Sequence, residues 1–216
     1  MAIENINNAE VLIVGSGSAG LSAATWLARY GIACKILEKS SGPMTIGQAD
    51  GVQCRTVEVF ESFGISEDLL KESCHVIEVA FWSTDDTTGQ LHRQRTTVDT
   101  EIGLSHQPHV ILNQARLNGM LIGEMKRSNS QEIDYGYLVK SVEVDEAASS
   151  NPDSYCVQVI AEKDGIEHAF RAKYVLVSKS DNFPPPLSQW LSRLLLTMNR
   201  LVMVHIAPSA NHWDSR

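Results

Sequence analysis

The chain has 216 residues, 43% hydrophobic and 20% charged, which gives room for one large or two small domains with ample core and makes disorder a poor description. A formal net charge of -8, with no cluster of Lys and Arg, argues against a nucleic-acid partner, and the absence of Lys or Arg before Arg29 argues against a signal peptide. Cys34, Cys54, Cys74 and Cys156 show no C-x-x-C spacing and the histidines no H-E-x-x-H spacing, so a reducing, cytoplasmic setting and no metal are expected.

Residues 1–9 are polar and read as a frayed end. The apolar run 11–14 then reads as a buried strand, Gly15-Ser16-Gly17-Ser18-Ala19-Gly20 as a turn, 21–30 as a helix rich in small residues, and 33–37 as a second strand ending at Glu38. In such a strand–turn–helix, Gly15 permits the reversal, Gly17 lets a pyrophosphate approach the backbone, and Gly20 allows close helix–strand packing. Amides at the helix start face the phosphates, and an acid at the end of the second strand accepts hydrogen bonds from a ribose hydroxyl. The pattern points to an adenine dinucleotide and leaves FAD and NAD both open; its bland rival is a glycine turn in an unrelated α/β protein.

Residues 39–51 form a long polar, glycine-studded loop at the carboxyl end of a strand, where ligands bind in open α/β sheets. A helix is expected over 52–63, with Val52, Val59, Phe60 and Phe63 at helical spacing and Gly64 as C-cap, and a short helix over 66–71 with Ser66 as N-cap. Residues 76–83 read as a strand, 84–105 as loop or edge hairpin with a weak strand at 96–98, and 108–114 as the lead into a helix with Leu117, Met120, Leu121 and Met125 on one face. Strands are expected at 135–145, 155–162 and 169–177, with a hairpin signal at Lys163-Asp164-Gly165.

Three blocks together resemble the FAD-dependent aromatic hydroxylases of the fungal phenol 2-monooxygenase type: residues 11–38, Gly47-Gln48-Ala49-Asp50-Gly51-Val52-Gln53-Cys54-Arg55-Thr56-Val57-Glu58, and Pro108-His109-Val110-Ile111-Leu112-Asn113-Gln114. The resemblance implies an α/β fold, a Rossmann-like FAD-binding domain with a parallel sheet plus an antiparallel three-stranded crossover sheet, and FAD rather than NAD as the bound dinucleotide. It implies that Gly15, Gly17, Ala19, Gly20, Glu38, Lys39, Gln48, Arg55 and Gln114 bind this cofactor, and that Asp50 is catalytic, sitting beside the substrate hydroxyl as general base. The implied reaction consumes NADPH and molecular oxygen and places one oxygen atom on a small aromatic substrate. Physical chemistry agrees with these assignments: Arg55 suits an anionic cofactor through charge-assisted hydrogen bonds, and deprotonating a phenol makes its ring more nucleophilic. Each has a plainer rival: Asp50 as a turn residue, Arg55 as a helix-surface charge, Gln114 as a helix cap.

The likeness runs through 10–177 and stops at Ser178-Lys179-Ser180-Asp181-Asn182, where the family carries a Gly-x-Asp-Gly segment. The chain therefore reads as a truncated member, with an incomplete FAD-binding domain over 1–177 and a divergent tail over 178–216. One expectation is a reading frame that crosses a splice junction near Ser178, which transcript sequencing across that point tests. The mostly apolar stretch 190–206 reads alternatively as an amphipathic helix, surface-active but too short and too charged to span a membrane. Two rival functions stand beside a monooxygenase. One is an inactive remnant with weak or no FAD binding. The other is a small NAD-dependent reductase, disfavoured because Tyr135 and Tyr137 precede Lys140 at spacings other than Tyr-x-x-x-Lys.

Overall fold

The computed structural model describes residues 4–47, 49–178 and 201–204. In chain order the elements are β1 (Glu4–Val14), α1 (Ser18–Arg29), β2 (Cys34–Glu38), β3 (Gly51–Val52), α2 (Cys54–Phe63), α3 (Ser66–Glu72), β4 (Cys74–His75), β5 (Glu78–Thr84), β6 (Leu91–Val98), β7 (Val110–Ile111), α4 (Gln114–Asn129), β8 (Asp134–Tyr135), β9 (Leu138–Val144), β10 (Val157–Lys163), β11 (Ile166–Ser178) and β12 (Leu201–Val204). They fall into two compact units, one drawn from Met1–Met44 with Leu121–Arg216 and the other Thr45–Met120.

The first unit is built on a seven-stranded sheet in the order β8-β2-β1-β11-β10-β9, with β12 also paired to β11. Strands β8, β2, β1 and β11 run parallel, and β9, β10 and β11 antiparallel. The expected parallel and crossover layers are thus one continuous sheet, because the 13-residue β11 serves both. Asp164 (φ 52) and Gly165 (φ 78) form the hairpin turn between β10 and β11, where two positive φ angles give the twist a tight hairpin needs.

Strand β1 is longer than its apolar run: Glu4, Asn7, Asn8 and Ala9 pair with His168, Phe170, Arg171 and Ala172, so the polar start is a ladder strand, not a frayed end. Of the 190–206 stretch, only 201–204 is described, and there the backbone is a strand parallel to Val175–Ser178 rather than a helix. The alternation of β1 and β2 sends Leu12, Val14 and Leu37 into a core with Val157, Val159, Phe170 and Val175. On the other face Ile13 and Ile36 pack with Ala24 and Ala28 of α1 and Met125 of α4.

Helices α1 and the Leu121–Asn129 part of α4 are tied through a buried acid. Glu124, 4% exposed, accepts hydrogen bonds from Arg29 (2.9 Å), Ser128 (3.1 Å) and Arg127. Charged hydrogen bonds of this kind are each worth about 1.5–3 kcal/mol, but both arginines are partly solvated. Glu124→Ala is therefore expected to cost about 2 kcal/mol in denaturant unfolding, and a change within ~0.5 kcal/mol contradicts a structural role for this cluster.

The second unit holds the small sheet β3-β7-β4 and the two-stranded β5-β6 ribbon. Helix α2 starts at Cys54 because Val52 is committed to β3, opposite Val110. Its buried stripe is consequently Val57, Phe60 and Phe63, with Val59 only half-buried. Gly64 closes it at φ 77, as a left-handed C-cap. Helix α3 is capped at Ile65 rather than Ser66, with Glu67 and Asp68 in its first turn, where carboxylates complement the helix dipole.

Candidate functional site

The glycine turn in the first unit separates three different needs for glycine. Gly15 sits at φ 99, donates its amide to the Leu37 carbonyl at 2.8 Å, and a Cβ there would lie 2.3 Å from the Ser178 carbonyl oxygen. At Gly20 a Cβ would lie 2.2 Å from the Gly15 oxygen, so helix and turn touch backbone to backbone. Gly17 has φ -68 and ψ 172, an extended conformation open to any residue, and a Cβ there meets nothing within 4 Å. Among the described residues nothing demands glycine at 17, and the backbone there is open to close approach by a ligand. Helix α1 starts here without a side-chain cap hydrogen bond on Gly17 and without an acidic residue in its first turn, and Ala19 lies in that turn. The donor set and the open face at Gly17 therefore fit the pyrophosphate of FAD.

Glu38 braces this turn from the end of β2. One carboxylate oxygen accepts the Ser16 amide at 2.7 Å and the Ser16 hydroxyl at 3.0 Å, and the other accepts the Ser40 amide and hydroxyl, both at 2.9 Å. Burial by itself raises the Glu38 pKa, but these four hydrogen bonds to the charged form outweigh it and hold the carboxyl below its ordinary 4.5. The resulting stabilisation is fully present above that ordinary value and is lost as pH falls through the lowered native one. Glu38→Gln is expected to flatten the acid limb of thermal stability, and an unchanged acid limb would show that the carboxylate braces nothing. Lys39 follows it as an exposed residue.

The remaining expected residues lie in the second unit, apart from Gln48, which is outside the described residues. Asp50 is not in a turn: its carbonyl accepts the Leu112 amide at 2.8 Å as the chain enters β3, and its side chain is exposed. Arg55, 84% exposed in the first turn of α2, pairs with Glu58 at 2.6 Å, and Glu58 also accepts the Ser105 hydroxyl at 2.7 Å. Gln114 opens α4 without capping it. Asn113 caps, its side-chain oxygen accepting the Ala115 amide at 3.0 Å, while a Cβ on Gly47 would lie 2.7 Å from that of Gln114. Gly47 thus packs directly against the start of α4.

Sequence reading missed His109. Its Nδ1 lies 2.9 Å from the Asp99 carboxylate and its Nε2 lies 3.4 Å from the Gln53 side-chain amide and 3.4 Å from where a Gly51 Cβ would be. The ring therefore lies over the residue after Asp50, oriented by a carboxylate. The one available signal was its place beside Val110 in the third block, since partners 10 and 56 residues away are invisible to spacing. Among the described residues no group of His, Cys, Asp and Glu is arranged to hold a metal ion, and no helix is long and apolar enough to cross a membrane.

Residues 8–177 match the family described as FAD binding domain. The chain is 56% identical over 171 residues to the FAD-dependent monooxygenase terD of Aspergillus terreus, covering 78% of this chain and 28% of that relative. It is 42% identical over 175 residues to the 3-hydroxybenzoate 4-monooxygenase of Comamonas testosteroni, covering 77% of this chain and 27% of that protein. In fold it is similar to the flavin-dependent monooxygenase PieE, solved with FAD and substrate, at a TM-score of 0.65 and 23% identity over 81% of this chain and 30% of that one. The chain spans 28% and 27% of the length of those two curated relatives. The chain belongs to the family described as FAD binding domain.

Proposed function

We propose that the chain binds FAD and that the protein hydroxylates a phenolic or other small aromatic substrate with NADPH and oxygen, in the cytoplasm, in secondary or aromatic metabolism. The observation that carries the FAD part is Gly17, a glycine that neither its conformation nor its packing requires, at the uncapped start of a helix. In this reading Gly15, Gly17, Ala19 and Gly20 present the turn to the pyrophosphate, Glu38 holds the ribose, and Lys39 adds positive charge beside it. Arg55, Gln48 and Gln114 contact the same cofactor, with Arg55 exchanging Glu58 for an anionic oxygen. The bound flavin supplies oxygen activation, which the protein side chains cannot. Asp50 takes the phenolic proton, from an exposed position on a backbone held by the Leu112 amide. The flavoprotein domain is read over 1–177, as far as the family match reaches, and 178–216 as a divergent segment whose Leu201–Val204 strand pairs with β11.

A second reading, FAD binding without turnover, is favoured by one feature: Val177 is followed by Ser178-Lys179-Ser180-Asp181-Asn182 and not by the glycine-containing segment of the resembled family. Oxidation of NADPH by the FAD-loaded chain, with and without a phenol, separates the two. Phenol-stimulated oxidation with a hydroxylated product supports the monooxygenase; bound FAD without stimulation supports the binding-only reading.

A further inference from the structure

The β5-β6 ribbon of the second unit is largely uncovered. Every residue of β6 is exposed, as are Glu78, Ala80, Trp82 and Thr84 of β5, and no third strand lies beside the ribbon among the described residues. Residues paired across two strands share a face. The pairs Ala80 with Thr96, Trp82 with Arg93, Thr84 with Leu91 and Glu78 with Val98 therefore put Ala80, Trp82, Leu91 and Val98 on one side, in water. A lone two-stranded ribbon is marginally stable at best, and a third strand with an apolar face is what makes such a sheet durable.

The two edges of the ribbon differ. Strand β6 carries Arg93 and Arg95 with an extra residue, Gln94, between them, since Phe81 pairs with Arg95 and Trp82 with Arg93. Bulges and long cationic side chains are the devices that keep a sheet edge from pairing, and pairing β6 with β6 of another copy would set arginine against arginine. Strand β5 has neither device: it contains no Lys, Arg or Pro, no extra residue, and a single charge, Glu78, at its start. Paired antiparallel with itself about Phe81, the same-face register that uses all seven of its residues, it sets Glu78 against Thr84, Val79 against Ser83 and Ala80 against Trp82. Each pair occurs twice by symmetry. The indole gains a small cross-strand neighbour, no like charges are opposed, and the apolar faces of both ribbons fall on one side. The product is a four-stranded sheet, β6-β5-β5-β6, whose outer edges are the two protected ones, so association closes at two copies instead of growing.

We propose that the open edge of β5 is a homodimer interface, to which a second copy of this chain adds its own β5. The proposal stands independently of the FAD reading. Sedimentation velocity of the full chain over a dilution series, with amide hydrogen exchange at the two ends of that series, tests it. The expected result is a concentration-dependent equilibrium between monomer and dimer, in which Glu78–Thr84 gains protection in the dimer and Leu91–Val98 gains none. Ala80→Asp sets a carboxylate against the indole of the second copy and near its own symmetry mate, and is expected to weaken the dimer roughly tenfold because the pair is lost twice. Thr96→Asp, exposed on the same face but on β6, is expected to leave the dimer intact, which separates pairing through the edge from packing through the face. A chain that stays monomeric, growth beyond two copies, a dimer without protection of Glu78–Thr84, or equal weakening by the two variants overturns the proposal. The exchange pattern of the parent chain decides the matter alone if Ala80→Asp does not fold.

Discussion

Gly17→Val is expected to leave the first unit folded and to weaken FAD binding at least a hundredfold, whereas Gly20→Val is expected to lose both fold and binding. The difference comes from what each Cβ meets. At position 17 it enters open space from an extended backbone, so unfolding free energy should move by no more than about 0.5–1 kcal/mol, with a slight gain from a stiffer unfolded chain. The added side chain nevertheless stands where phosphate oxygens must reach the amides, and two lost charge-assisted hydrogen bonds account for a factor of about a hundred. At position 20 the Cβ lands 2.2 Å from the Gly15 oxygen, a backbone atom that cannot rotate away, so α1 must part from β1. Calorimetric FAD titration with parallel thermal unfolding checks both variants. Tight FAD binding by Gly17→Val contradicts the turn as the phosphate site.

Asp50→Asn is expected to reduce hydroxylation by about 10²–10⁴, the range for loss of a general base, with FAD affinity unchanged. Asparagine preserves size and backbone, so the carbonyl that accepts the Leu112 amide is untouched and β3 stays paired with β7. Only the ability to take a proton is removed. Product formation per NADPH consumed reads the chemistry, and a titration of FAD reads the site. Unchanged product formation removes Asp50 from the proton transfer.

The glycine turn was legible because its requirements are local: a positive φ at Gly15 and a close approach at Gly20 are properties that only one residue type satisfies. The Asp164-Gly165 hairpin and the Gly64 cap were legible for the same reason. What pairing over long range decides was not. Residues 4–9 lack alternation, yet β11 recruits them into the sheet by main-chain hydrogen bonds that take no account of side chains. Val52 carries helical spacing but belongs to β3, because Val110 lies opposite it. Glu38 was readable as an acid at a strand end, while its four bonds to Ser16 and Ser40 depend on two loops folding around it. His109 was passed over because Asp99, Gln53 and Gly51 reach it only in three dimensions.

The central claim is that this chain holds FAD by the turn at Gly15–Gly20 and the carboxylate of Glu38. Its most direct test is the flavin content of the purified chain of 216 residues after loading with FAD and removal of the excess, read from its visible spectrum. A yellow protein with one FAD per chain, lost in Gly17→Val, is the expected result; a colourless parent chain that takes up no FAD contradicts it.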